Sequence, residues 1–162
     1  MRTYFIAQSY SKMAYSKIAL PDSDWLQVEH LADVEVTSED PAAPAENAFL
    51  PDRPSGWRAG TPGRQVIRLL FNRPLTIKRI RLRFTESAVQ RTQEYTLRWS
   101  SNGGQSFREI VRQQWNFSPL GSMSEIEEHE VDLTGVTSLE LNIVPDVSGG
   151  PATASLLHWQ IA

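Results

Sequence analysis

Between Gln93 and Val111 apolar and polar positions alternate strictly, with Tyr95, Leu97 and Trp99 set off by Glu94, Thr96 and Arg98. A period of two puts three large apolar groups on one face of a strand, and such a face needs a partner sheet. Ser101-Asn102-Gly103-Gly104 follows with residues that tolerate positive φ, and Phe107, Ile110 and Val111 resume the apolar pattern, so the stretch predicts a β-hairpin. The same rhythm recurs along the chain. Val34 and Val36 predict a first strand. Ile67, Leu69 and Phe71, then Ile80, Leu82 and Phe84, predict two neighbouring strands joined across Asn72-Arg73-Pro74. Val131 and Leu133, then Leu139, Leu141 and Ile143, and finally Leu157, Trp159 and Ile161, predict the rest. Short strands separated by turn signals, with hardly any helical period, point to an all-β sandwich or barrel.

Two regions interrupt this pattern. In residues 1–32, Tyr4, Phe5 and Ile6 predict a short strand and Tyr10 to Leu20 a helix ending before Pro21. Trp25, Leu26, Val28 and Leu31 anchor this irregular, partly helical segment on a sandwich core spanning 33–162. Residues 38–63 carry Pro41, Pro44, Pro51, Pro54 and Pro62, which forbid regular ladders and predict a long loop pinned by Asn47, Phe49, Asp52 and Trp57.

Composition narrows the function classes. At 162 residues with 40% hydrophobic content the chain is long enough for one domain with its own core. The net charge of -3 gives no global attraction to nucleic acid. There is no cysteine, which excludes disulfides, a thiol nucleophile and thiolate metal sites. No segment reaches the length of an apolar membrane span and no secretory leader is legible, so a soluble, cytoplasmic protein is expected.

Taken in order, Val36-Thr37-Ser38, Glu46-Asn47-Ala48-Phe49 followed by Asp52, Ser55-Gly56-Trp57, the hairpin from Tyr95 to Phe107 and the closing Ala154-Ser155-Leu156 resemble the discoidin, or coagulation factor 5/8 type C, domain. This domain belongs to the galactose-binding-like superfamily, with family 32 carbohydrate-binding modules. The resemblance runs from about Val34 to the C-terminus and implies an antiparallel jelly-roll sandwich of about eight strands. Many members hold a structural calcium through an Asp two positions before the residue matched by Asp52 and a Glu in the last strand. Here those places carry Leu50 and His158. Leucine offers no oxygen to an ion that takes six to eight, so no cofactor is expected beyond a weak calcium site at Asp52 and backbone carbonyls. Galactose-binding members also place a His after the loop Trp and an Arg near the end of a later strand, where this chain has Arg58 and Thr85-Glu86.

The candidate ligand-binding residues are therefore Arg58, Trp115, Asn116 and Phe117, with Arg91 and Trp57 behind them. Trp115 and Phe117 flank Asn116 in what reads as a loop, an arrangement suited to sugar stacking or to a protein hot spot. Trp57 is expected chiefly as a packing residue beneath the long loop, and Trp99 and Trp159 as core. Glu125, Glu127, Glu128 and Glu130 split between two faces of one segment and read as a solvated approach to a strand rather than as glycosidase carboxylates. Arg79, Arg81 and Arg83 form a row expected to pair with acidic neighbours such as Glu94. Without nucleophile elbow or phosphate loop, no enzyme is expected. The reading is a noncatalytic module that holds carbohydrate through loops at one end of the sandwich, with a protein-interaction domain as the alternative and polyanion binding third.

Overall fold

The computed structural model describes residues 1–5, 10–11 and 25–162. Apart from two 3-10 turns, Val28–His30 and Ala45–Phe49, its elements are strands. They are β1 (Thr3–Phe5), β2 (Tyr10–Ser11), β3 (Ala32–Val36), β4 (Trp57–Arg58), β5 (Gln65–Thr85), β6 (Arg91–Ser100), β7 (Arg108–Phe117), β8 (Ser124–Val144), β9 (Ser155–Leu156) and β10 (His158–Ile161).

The architecture is the expected all-β sandwich, built on two strands of 21 residues each, β5 and β8, which pair antiparallel along their length. The ladder runs in register from Gln65↔Ile143 to Leu70↔Ser138, shifts around Leu75 and Ile77, and resumes at Arg79↔Glu130. Bulges twist and bend a ribbon, so its two halves enter different layers. One half continues the order β2-β1-β3-β5-β8-β6-β7, and the other receives β10 on the far edge of β5. The layers meet where the Phe84 ring of β5 lies 5.3 Å from that of Tyr95 on β6. Ile67, Leu69, Ile80, Leu82, Leu97, Leu139 and Leu141 are fully buried between them, each contributing about 1.5–3 kcal/mol by leaving water.

Asn72-Arg73-Pro74 thus does not end a strand. The exposed Pro74 sits where the ladder is already interrupted by a bulge and a missing N–H costs no bond. The sandwich also departs from pure antiparallel pairing, because β1 lies parallel to β3. Tyr10–Ser11 pairs with β1 as a strand, and the remainder of the expected helix falls outside the described residues. The β6–β7 hairpin forms as read, Gly103 and Gly104 taking φ of 73° and 85° in the connection. Tyr95 and Leu97 are buried, while Trp99 is only half-buried beneath Arg108.

The long loop is tied from inside. Phe49 packs at 5.7 Å on Trp159, Trp57 is fully buried, and the Asn47 side chain donates to the Ser55 hydroxyl, whereas Asp52 is exposed and its side chain makes no hydrogen bond or ion pair among the described residues. Within it β4 pairs with β9, Trp57 opposite Leu156 and Arg58 opposite Ser155. No helix among the described residues is long and apolar enough to cross a membrane.

Candidate functional site

A cavity of about 310 Å3 opens where β4, the end of β5 and the segment leading through β9 converge. Arg58 forms one wall. Thr85, Glu86 and Ser87 form another, continued by Ala88 and Val89, and residues from Pro151 to Leu157 close the third. The two places at which the family resemblance located ligand contacts, Arg58 and Thr85-Glu86, are thus brought together by the fold.

Arg58 stands on a fixed base. Its backbone N–H donates to the Ala43 carbonyl at 3.0 Å, its carbonyl accepts from the Asp40 N–H at 2.8 Å, and Trp57 behind it donates Nε1–H to the Ser38 carbonyl at 3.1 Å. The preceding Gly56 has φ of 59°, and a Cβ there would lie 2.4 Å from the Leu156 carbonyl oxygen, so only glycine lets β9 approach. The Arg58 side chain itself is exposed and makes no ion pair or hydrogen bond among the described residues. Glu86 opposite is engaged: Arg91 donates Nε–H to it at 2.7 Å and the Ala88 N–H at 3.1 Å. Burial pushes the Glu86 carboxyl up, but the Arg91 and Ala88 hydrogen bonds outweigh this and hold it below the usual carboxylate range.

Three of the six candidate residues are interior, Trp57 in the packing role chiefly expected of it and Phe117 and Arg91 contrary to expectation. Trp57 is 0% exposed, Phe117 0% and Arg91 3%. The Arg91 guanidinium lies 4.8 Å from the Phe117 ring centroid and also donates to the Pro145 carbonyl at 2.7 Å and the Gln93 side chain at 3.1 Å. Neither aromatic face is open to a sugar. The segment Trp115-Asn116-Phe117 belongs to β7 rather than to a loop: Trp115 is half-buried opposite Gln93, and the exposed Asn116 accepts from the Thr92 hydroxyl at 2.6 Å. None of the three lines the Arg58 cavity.

The basic row is also reassigned. Glu128, directly across on β8, accepts from Arg79 at 2.8 Å and Arg81 at 3.0 Å, and both guanidiniums lie within 4.6 Å of the Trp25 ring. Glu94 pairs with Arg112 instead, so the face available to a polyanion shrinks to Arg83. Glu125 and Glu127 are half-buried rather than solvated. Burial, a hydrogen bond that the protonated carboxyl donates to Glu127 and the charge of Glu127 push the Glu125 carboxyl up to about 7.

Leu50 and His158, at the places where the resemblance to the discoidin domain located calcium ligands, do line one cavity, of about 210 Å3. Its other walls include Trp25, Phe49, Pro51 and Arg83. Apolar groups and a cation do not fit a calcium ion.

Compared with known proteins, the chain matches no family model and no curated protein. Solved structures do match it. A family 32 carbohydrate-binding module from Clostridium perfringens, in complex with GalNAc-β-1,3-galactose, superposes with a TM-score of 0.64 at 19% identity over 85% of this chain and 99% of that one. The NanJ module of C. perfringens in complex with galactose gives 0.64 at 12% identity, over 85% and 96%. The AlyQ module in complex with 4,5-unsaturated mannuronic acid gives 0.60 at 16% identity, over 82% and 95%. The chain has the discoidin-type, galactose-binding-like fold of these modules.

Proposed function

We propose that this chain is a noncatalytic carbohydrate-binding module whose ligand enters the Arg58 cavity. The observation that carries the reading is the cavity's make-up: a free guanidinium, a tethered carboxylate at Glu86, and the hydroxyls of Ser55, Thr85, Ser87, Thr153 and Ser155 around one opening. Sugars offer many hydroxyls in fixed directions, and a wall carrying both donors and acceptors, with Arg58, Thr85 and Ser155 on strands and Glu86 tethered by Arg91, can meet them. Support comes also from the solved neighbours of this fold, whose structures hold galactose, GalNAc-β-1,3-galactose or an unsaturated uronic acid. Glycan-array binding followed by calorimetry tests the reading. Arg58→Ala is expected to abolish binding and Trp115→Ala to leave it unchanged. Failure of every glycan, or the reverse pattern, would overturn it.

A protein partner is favoured by a different observation. Val89 is 48% exposed, Leu120 101%, Met123 48% and Ile126 50%, and the Glu86 N–H bonds the Met123 carbonyl, joining the loops that carry the first and third of these. Loss of a stoichiometric complex in Leu120→Ser with sugar binding intact would support this second role.

A further inference from the structure

Resting on the carbohydrate reading, we infer that the Arg58 cavity selects sugars bearing a carboxylate, that is uronic acids, and that Arg58 makes the selection. The first ground is charge. Glu86 and the buried Arg91, joined at 2.7 Å, cancel one another, while Arg58 has no anionic partner among the described residues. The cavity therefore carries one uncompensated positive charge. The second ground is what the wall lacks. None of the described residues lining it is aromatic; its apolar lining comes from Ala88, Val89, Pro151, Ala152, Leu156 and Leu157. A neutral sugar gains much of its affinity by laying an apolar face on an aromatic ring, and without that platform the strongest available contact is a charge-assisted one. A guanidinium presents a planar fork that takes a carboxylate through two parallel N–H···O bonds, which a neutral hydroxymethyl group at the same position cannot accept. The third ground is rigidity. Bonds to Ala43 and from Asp40 hold the Arg58 backbone at 3.0 and 2.8 Å, and β9 braces it, so the ordering cost at this residue is confined to the Arg58 side chain.

The test is calorimetric titration of the full chain with short oligomers of galacturonate, mannuronate and glucuronate. Methyl-esterified oligogalacturonate, neutral galacto-oligosaccharide and a sulfated galactan fragment serve as comparisons. At least one uronate is expected to bind about tenfold tighter than any neutral oligomer, the worth of one charge-assisted pair. Where galacturonate is that ligand, esterification removes the advantage. Arg58→Gln abolishes the difference with its melting temperature unchanged, as befits an exposed side chain, and Arg58→Lys retains part of it. Equal binding of neutral and acidic sugars overturns the inference and leaves the module reading standing. Binding of no sugar in either class overturns both. A uronate preference that survives in Arg58→Gln, or affinity confined to the sulfated fragment, overturns the assignment of a carboxylate to Arg58.

Discussion

Arg91 donates Nε–H to the Glu86 carboxylate at 2.7 Å from a side chain only 1% exposed, and this pair ties the loop after β5 to the first residue of β6. It is the internal support of one cavity wall, although neither its burial nor its partner is visible in the local sequence.

Arg91→Met should lower stability by about 3 kcal/mol, because removing one partner leaves a poorly solvated charge behind. Glu86 is held below its ordinary value of 4.5, so its contribution is complete above that pH and is lost as pH falls through the lower value in the fold. Thermal melts should show this acid-side loss in the wild type and not in the variant.

Glu125 titrates in the opposite sense. With its carboxyl raised from 4.5 to about 7 by burial and by Glu127, the fold holds a proton that the unfolded chain has released, and the stability this brings is lost as pH rises towards 7. Solvent screening of the half-exposed pair reduces the effect to about 1 kcal/mol. Glu125→Gln should match the wild type at about pH 5 and melt roughly 2–4 °C higher at about pH 8.

Gly56→Ala should be far more damaging than Gly103→Ala. Both residues have positive φ, but a Cβ on Gly56 meets backbone atoms of Leu156 and Leu157 at 2.4 and 2.6 Å, whereas Gly103 has nothing within 4 Å. The second change costs about 1–2 kcal/mol of backbone strain; the first adds separation of β9 from β4, for a total of about 3 kcal/mol or more. Only Gly56→Ala should also weaken sugar binding, since Arg58 and Ser155 face each other on that ribbon.

Trp57→Phe removes the hydrogen bond to Ser38 and some buried volume. A loss of about 2 kcal/mol is expected in denaturant unfolding. Affinity for the cavity's ligand should change by less than about twofold, whereas a tryptophan that stacked on sugar would cost about tenfold or more.

Much of what could be read locally was read correctly, although Trp99, expected inside, is only half-buried. Val34 and Val36, Ile80 to Phe84, Tyr95 and Leu97, and Trp159 and Ile161 all face inward. The readings failed where the side-chain period is broken. At Asn72-Arg73-Pro74 a bulge puts a turn signature inside one continuous strand, and on β7 the polar, exposed Gln113 interrupts the apolar alternation that Trp115 and Phe117 continue. Of the six candidate contacts, Arg58 lies in the cavity and Trp57, Phe117 and Arg91 are interior. An aromatic or an arginine has the same signature in sequence whether its neighbours cover it or not.

Alternation, turn residues and the lack of cysteine sufficed to determine an all-β sandwich and most of its interior, because inward and outward positions on a strand are fixed by the period of the backbone itself. Which residues share the cavity was decided only in three dimensions. Arg58, Glu86 and Thr153 meet there because the β4–β9 ribbon and the bent β5–β8 pair bring distant segments together. Such meetings depend on long-range pairing and on which charges find partners, as Glu128 finds Arg79 and Arg81 and Glu86 finds Arg91, and no local pattern of residues encodes them.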